Sequence, residues 1–179
     1  MKLRRILLNG LGNVGRRFLE LLRDRPELLA ARHDVAFRVV GAADSRGAAS
    51  CEDGLPLAEL VELKLQGRSG GELPGRGEMG ATALGLLGRL GVDLVLEAAS
   101  TNYRDAQPGL DLVRAALHRG LPCVLAAKGP LVLAYEELAS LSDLSHPTRT
   151  ALRFSGTVGG CLPSVNVGRR DLAGDHRPL

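Results

Sequence analysis

Three groups of residues in this chain have the types and spacing to do chemistry. The first is Gly10-Leu11-Gly12-Asn13-Val14-Gly15, a G-x-G-x-x-G run set directly after an apolar stretch and at the mouth of an amphipathic one. In that setting the first glycine permits a tight turn and the second lets backbone approach a pyrophosphate. The third lets a helix pack close on the strand, with the helix N-terminus facing the phosphates. These six residues are read as a dinucleotide cradle, with a purely structural turn as the alternative. The second group is Asp44 with Arg46. An acid at the end of a second strand is placed to bond the adenosine ribose, although it lies 29 residues beyond Gly15, further than the usual spacing of about 20. A guanidinium two residues on can instead accept a 2′-phosphate. NAD and NADP therefore both stay open, with a lean to NADP.

The third group gathers where later strands should end. Ser100, in the segment Glu97-Ala98-Ala99-Ser100-Thr101-Asn102, can hold a ribose or carboxamide, or simply cap a helix. Lys128, in Ala126-Ala127-Lys128-Gly129-Pro130-Leu131, is expected at the same edge, with Pro130 placed to start the next helix. Of 23 basic residues only Lys2, Lys64 and Lys128 are lysine. Arginine stays protonated, whereas lysine can give up a proton, so a loop lysine in an arginine-rich chain is a candidate for chemistry. An exposed loop lysine is the plain alternative.

The elements that must position these groups follow from periodicity. Residues 3–9 form an apolar strand, and Val14, Phe18, Leu21, Leu22 and Leu29 recur at helical spacing behind it. Residues 35–43 are nearly all apolar, as in a strand buried on both faces. A helix is expected over 55–65. Residues 67–80, with six glycines and a proline, read as a loop with scope to move. A helix over 81–90, a strand over 93–98, a helix over 110–118, a strand over 122–127, a helix over 131–141 and a strand over 150–154 complete the series. Such alternation predicts an α/β fold, a doubly wound, mainly parallel Rossmann-type sheet, over residues 1–155.

Composition excludes several partners. A net charge of +3, aromatics at 3% and scattered arginines give no stacking platform or basic stripe for nucleic acid. The short apolar run before Gly10 is neither a signal sequence nor a membrane span. Cys51, Cys123 and Cys161, odd in number and without a CxxC pair, read as reduced residues, and the cytoplasm is the expected location.

Taken in order, Gly10–Gly15, Asp44-Ser45, the Glu97–Asn102 strand end with its Thr-Asn, Ala126–Leu131 and Thr157-Val158-Gly159-Gly160-Cys161-Leu162-Pro163 resemble the N-terminal half of homoserine dehydrogenase. The last two segments carry most of the specificity. The resemblance implies an NAD(P)-dependent oxidoreductase of amino-acid biosynthesis, toward threonine and methionine. Its small-molecule substrate would be an amino-acid semialdehyde, and a homo-oligomer is compatible. It also implies a role for Lys128 in proton transfer beside the nicotinamide. It implies a monovalent cation, such as sodium, held by backbone carbonyls of Val158, Gly160 and Leu162. Two positions depart from the family pattern: Ser155 replaces a glutamate near that cation, and Ala127 replaces the asparagine before the lysine. Residues 156–179 are expected to begin a connection to a substrate domain, so that this chain alone would bind cofactor without turnover. The competing readings are a non-catalytic NAD(H)-sensing module and a related two-domain semialdehyde or amino-acid dehydrogenase.

Overall fold

The computed structural model describes residues 1–142 and 152–157. Strand β1 (Lys2–Asn9) runs up the middle of the sheet and ends at the Gly10 turn. Helix α1 (Asn13–Asp24) follows and stops at Arg25, because Pro26 opens the separate helix α2 (Pro26–His33). Strand β2 (Val35–Ala43) then returns parallel to β1. Its buried C-terminal half delivers Asp44 to the same edge as Gly10. The chain continues through β3 (Gly47–Ser50), α3 (Leu57–Leu65), β4 (Gly77–Met79), α4 (Ala83–Arg89), β5 (Leu94–Glu97), α5 (Gly109–His118), β6 (Cys123–Leu125), α6 (Gly129–Leu141) and β7 (Leu152–Arg153).

The sheet order is β4-β3-β2-β1-β5-β6-β7. Strands β2, β1, β5, β6 and β7 are mutually parallel, while β3 and β4 attach antiparallel at one edge. The fold is thus the doubly wound, mainly parallel α/β sheet that the alternation predicts.

Period-two alternation divides the core between the two faces. Ile6, Leu8 and Leu96 join Leu19, Leu22, Leu60 and Val61 on one side. Leu7 and Val95 join Leu86, Leu112, Val113 and Leu138 on the other. The stripe of α1 differs from the one read in the sequence: Gly15, Leu19 and Leu22 are buried, whereas Val14 and Leu21 are exposed. Gly15 must lie against the strand, and that fixes the rotation of the helix.

Residues 67–80 are not a free loop. They hold a 3-10 turn at Gly70–Glu72 and the edge strand β4. A capping box ties Ser69 to Glu72, with the Ser69 N–H donating to Glu72 Oε1 at 2.7 Å. Gly47 and Gly71 lie back to back, so that a Cβ on Gly71 would stand 3.0 Å from the Gly47 Cα. Gly70, Gly71 and Gly77 serve close packing, while Gly67, Gly75 and Gly80 turn the chain at positive φ.

Candidate functional site

The carboxyl ends of β1, β2 and β5 line a crevice on the side where α1 begins. Such an edge is where open α/β sheets bind ligands. The crevice has two lobes, of about 500 Å³ and 240 Å³, together of a size that suits a cofactor. Asn9, Asp44, Ser45, Gln107 and Pro108 line both. The larger lobe adds Gly10, Leu11, Gly12, Lys64 and residues 98–102. The smaller adds Arg46, Thr82, Ala83, Leu84 and Leu112, a largely apolar slot.

The glycine run behaves as its spacing predicts. Gly10 has φ +100°, and a Cβ there would overlap the Ala98 carbonyl, so only glycine fits the turn. A Cβ on Gly15 would overlap the Gly10 oxygen. Gly12, by contrast, is exposed, and a Cβ added to it would meet nothing within 4 Å. That open space lies at the start of α1, whose unpaired N–H groups and dipole favour an anion. The cradle therefore fits a pyrophosphate. Leu11 is buried beneath it, while Asn13, Val14 and Gly15 begin the helix without lining the crevice.

Asp44 is more heavily engaged than a ribose ligand needs to be. One carboxylate oxygen accepts from the Arg46 N–H (2.9 Å), the Gly47 N–H (3.2 Å) and the Ser69 hydroxyl (2.8 Å). The other accepts from the Lys64 ammonium (2.7 Å) and the Gly70 N–H (2.8 Å). Those donors fill the roughly four lone-pair positions of a carboxylate. Burial pushes the carboxyl up, but the Lys64 ammonium and the Gly70, Arg46 and Ser69 donors outweigh it and hold the pKa at about 2. Lys64 also donates to the Arg68 carbonyl at 2.6 Å, and the Arg46 guanidinium to the Gly67 carbonyl at 2.7 Å. Asp44, Arg46 and Lys64 thus form one knot that binds the 67–72 segment to the end of β2. The sequence places Lys64 in a helix and does not single it out as a site residue, although it shares the face of Leu57, Leu60 and Val61. The scarcity of lysine is the signal that points to it.

Ser100 is exposed on the wall of the larger lobe, as expected. Lys128 caps the start of α6, its backbone N–H 3.4 Å from the Thr101 hydroxyl. Its side chain is exposed and makes no hydrogen bond or ion pair among the described residues, and it stands beyond the crevice lining rather than in it. The structure brings the glycine run, Asp44, Arg46 and Ser100 together, with Lys128 at their margin. Val158, Gly160 and Leu162 lie outside the described residues. Among the described residues no group of three or more His, Cys, Asp or Glu could hold a metal ion.

Beneath the crevice lies a residue that the sequence marks only as a strand end. Glu97 is fully buried; it accepts from Asn9 Nδ2 at 2.6 Å and from the Ala99 N–H at 2.8 Å. Burial pushes its carboxyl above the usual range against those two bonds.

A doubly wound sheet with a glycine-turn anion cradle at its carboxyl edge defines a dinucleotide-binding type of domain. Known proteins narrow the class. The chain is 29% identical over 96% of its length to the homoserine dehydrogenase of Methanocaldococcus jannaschii, covering 49% of that protein. It is also 29% identical to the NAD(+)-dependent homoserine dehydrogenase of Pseudomonas canavaninivorans, over 95% of this chain and 47% of the relative. Among solved structures, the homoserine dehydrogenase of Thermoplasma acidophilum superposes with a TM-score of 0.75 at 25% identity, covering 96% of this chain and 49% of that one. No protein-family model matches. The resemblance read from the order of motifs is borne out, and the chain spans about half the length of the curated relatives it matches.

Proposed function

We propose that this chain binds NADP, with NAD as the weaker ligand, as the nucleotide-binding part of an oxidoreductase of the homoserine dehydrogenase type. The observation that carries the reading is the two-lobed crevice, with the open space over Gly12 at the start of α1 and similarity to homoserine dehydrogenases along 96% of the chain. Residues 1–155 would be the dinucleotide-binding domain, and 156–179 the start of a connection. The apolar slot at Ala83, Leu84 and Leu112 suits an adenine ring. Arg46 and Lys64 place two cations beside the adenosine end, where a 2′-phosphate would meet them. Asp44, saturated by its own donors, then acts as their anchor, and a ribose hydroxyl would have to displace one of those bonds.

The bound nicotinamide supplies a hydride acceptor or donor. The chain's own part is to hold the phosphates on the α1 N-terminus and the ribose or carboxamide near Ser100. The Lys128 ammonium, free of other partners among the described residues, would hold a proton at Nζ near the substrate oxygen, where homoserine and aspartate 4-semialdehyde interconvert. A monovalent cation on the carbonyls of Val158, Gly160 and Leu162 is part of the same reading, as is a cytoplasmic role toward threonine and methionine. Among the described residues no helix is long and apolar enough to cross a membrane.

Calorimetric titration of the folded chain with NADPH and with NADH tests the proposal. Saturable binding that favours NADPH is expected, and no heat with either cofactor would overturn it. The described residues supply no clamp for an amino acid, so the chain on its own is expected to bind cofactor without oxidising homoserine. Turnover by the 179-residue chain would contradict that part of the reading.

A further inference from the structure

Asn9 is the last residue of β1 and lines both lobes of the crevice, yet its amide is held from below. Its Nδ2 donates to the fully buried Glu97 at 2.6 Å. Its Oδ1 has no hydrogen-bond partner among the described residues. Both Glu97 carboxyl oxygens are engaged as acceptors, one from Asn9 Nδ2 and the other from the Ala99 N–H, so Glu97 fixes which way round the Asn9 amide stands. Glu97 is itself fixed. It accepts from the Ala99 N–H, and its backbone carbonyl takes the N–H groups of Ala126 (2.8 Å) and Ala127 (3.2 Å). Its carboxyl lies against the first residue of α5, where a Cβ on Gly109 would come within 2.9 Å of the Glu97 Cδ. A helix N-terminus there favours the negative charge. One buried residue thereby ties together the Gly10 strand, the 98–102 wall and the start of α5 through its side chain, and the approach to Lys128 through its carbonyl.

We infer that Glu97 is a positioning residue that locks the Asn9 amide so that its Oδ1 faces the crevice as an acceptor, reading a ribose hydroxyl or amino N–H of the nucleotide. The inference rests on the dinucleotide reading above. An acceptor at this point repels a phosphate oxygen, so it also sets the register of the ligand across the waist between the two lobes. Gln107, which lines both lobes and makes no side-chain hydrogen bond among the described residues, stands at the same waist as a second neutral amide. Unlike Asn9, it has no buried carboxylate to fix its orientation.

Glu97→Gln separates positioning from mere support of the fold. The glutamine still accepts from the Ala99 N–H, and Asn9 can satisfy its new Nε2 donor by rotating its amide through a half turn. The interior then stays hydrogen-bonded, but Nδ2 replaces Oδ1 toward the crevice. The expected result is a melting temperature close to that of the parent and a cofactor affinity at least roughly tenfold weaker by NADPH fluorescence titration. Adding Asn9→Asp to Glu97→Gln puts an oxygen back toward the crevice while still accepting from Gln Nε2, and should recover a substantial part of the loss. If Glu97→Gln does not fold, Asn9→Ala removes the acceptor directly and should weaken binding to a similar degree. A parent chain that binds neither cofactor refutes the dinucleotide reading itself. A parent that binds, with Glu97→Gln or Asn9→Ala binding equally well, overturns this inference alone.

Discussion

Two carboxylates sit at the same edge of the sheet and live in opposite electrostatic regimes. Asp44 accepts five hydrogen bonds, one of them from an ammonium, and is held at about 2. Glu97 accepts two, both from neutral groups, and burial pushes it upward. The two acids differ in depth and in donors together: Asp44 is only part-buried and its five donors outweigh desolvation, whereas Glu97 is fully buried with two neutral donors and desolvation wins. The contrast also divides the labour of the crevice. The Asp44 end is a charged knot suited to meeting phosphate, and the Glu97 end is a buried carboxyl whose neutral donors aim an amide and backbone.

The largest effect should come from the glycine turn between these ends. Gly10→Ala places a Cβ into the Ala98 carbonyl at a positive φ and should cost roughly 3 kcal/mol or more in chemical denaturation. Gly12→Ala meets no neighbour, so its stability should stay within about 1 kcal/mol of the parent, while NADPH binding falls sharply in calorimetry. Equal stability losses in the two variants would mean that the second glycine has a structural rather than a ligand-facing job.

Next in size is the charged knot. Lys64→Ala leaves the Asp44 carboxylate short of its cationic partner and removes a cation from the proposed 2′-phosphate position. It should weaken NADPH more than NADH, by about 1–3 kcal/mol, the scale of a lost charged hydrogen bond. Arg46→Ala should act in the same direction and less strongly, since that side chain is exposed and already bonded to the Gly67 carbonyl. A uniform loss for both cofactors would show that the knot supports the site without discriminating between them.

The two acids should also part company in a pH titration of stability. Asp44 has a folded pKa below its unfolded value of 3.8. Its contribution is therefore complete above pH of about 4 and is lost as pH falls toward about 2. After discounting for solvent the effect is on the order of 1–2 kcal/mol, and Asp44→Asn should flatten the acid limb of the melting curve by that amount. Glu97, raised, has the opposite sign: the stabilisation from its protonated form is present below its unfolded pKa and is lost as pH rises through the folded value. Glu97→Gln should remove that dependence, so a curve unchanged by either substitution would contradict the contrast.

Much of the frame is legible in the sequence. Apolar runs locate β1, β2 and β5, and G-x-G-x-x-G marks the cradle, because these features depend on neighbours along the chain. What the sequence hides depends on distant partners. Strand β4 forms in the glycine-rich stretch that reads as a loop, and the short β3 pairs with it, since their order comes from packing of Gly47 on Gly71 and from the bonds to Asp44. Lys64 lies 20 residues from Asp44 and Asn9 lies 88 from Glu97. Neither pairing leaves a local trace. The rotation of α1 differs from its apolar stripe because an exposed Val14 and a buried Gly15 invert the usual hydrophobic weighting.

The proposed dinucleotide lies across both lobes at the carboxyl edge of the sheet. Backbone amide chemical-shift mapping of the folded chain during titration with NADPH tests it most directly. Saturable shifts are expected at Gly12, Ser45, Lys64, Ala99, Ser100 and Gln107, with the opposite edge around Arg5, Gly91 and Arg119 unmoved. Shifts confined to that opposite edge, or none at all on folded protein, would contradict it.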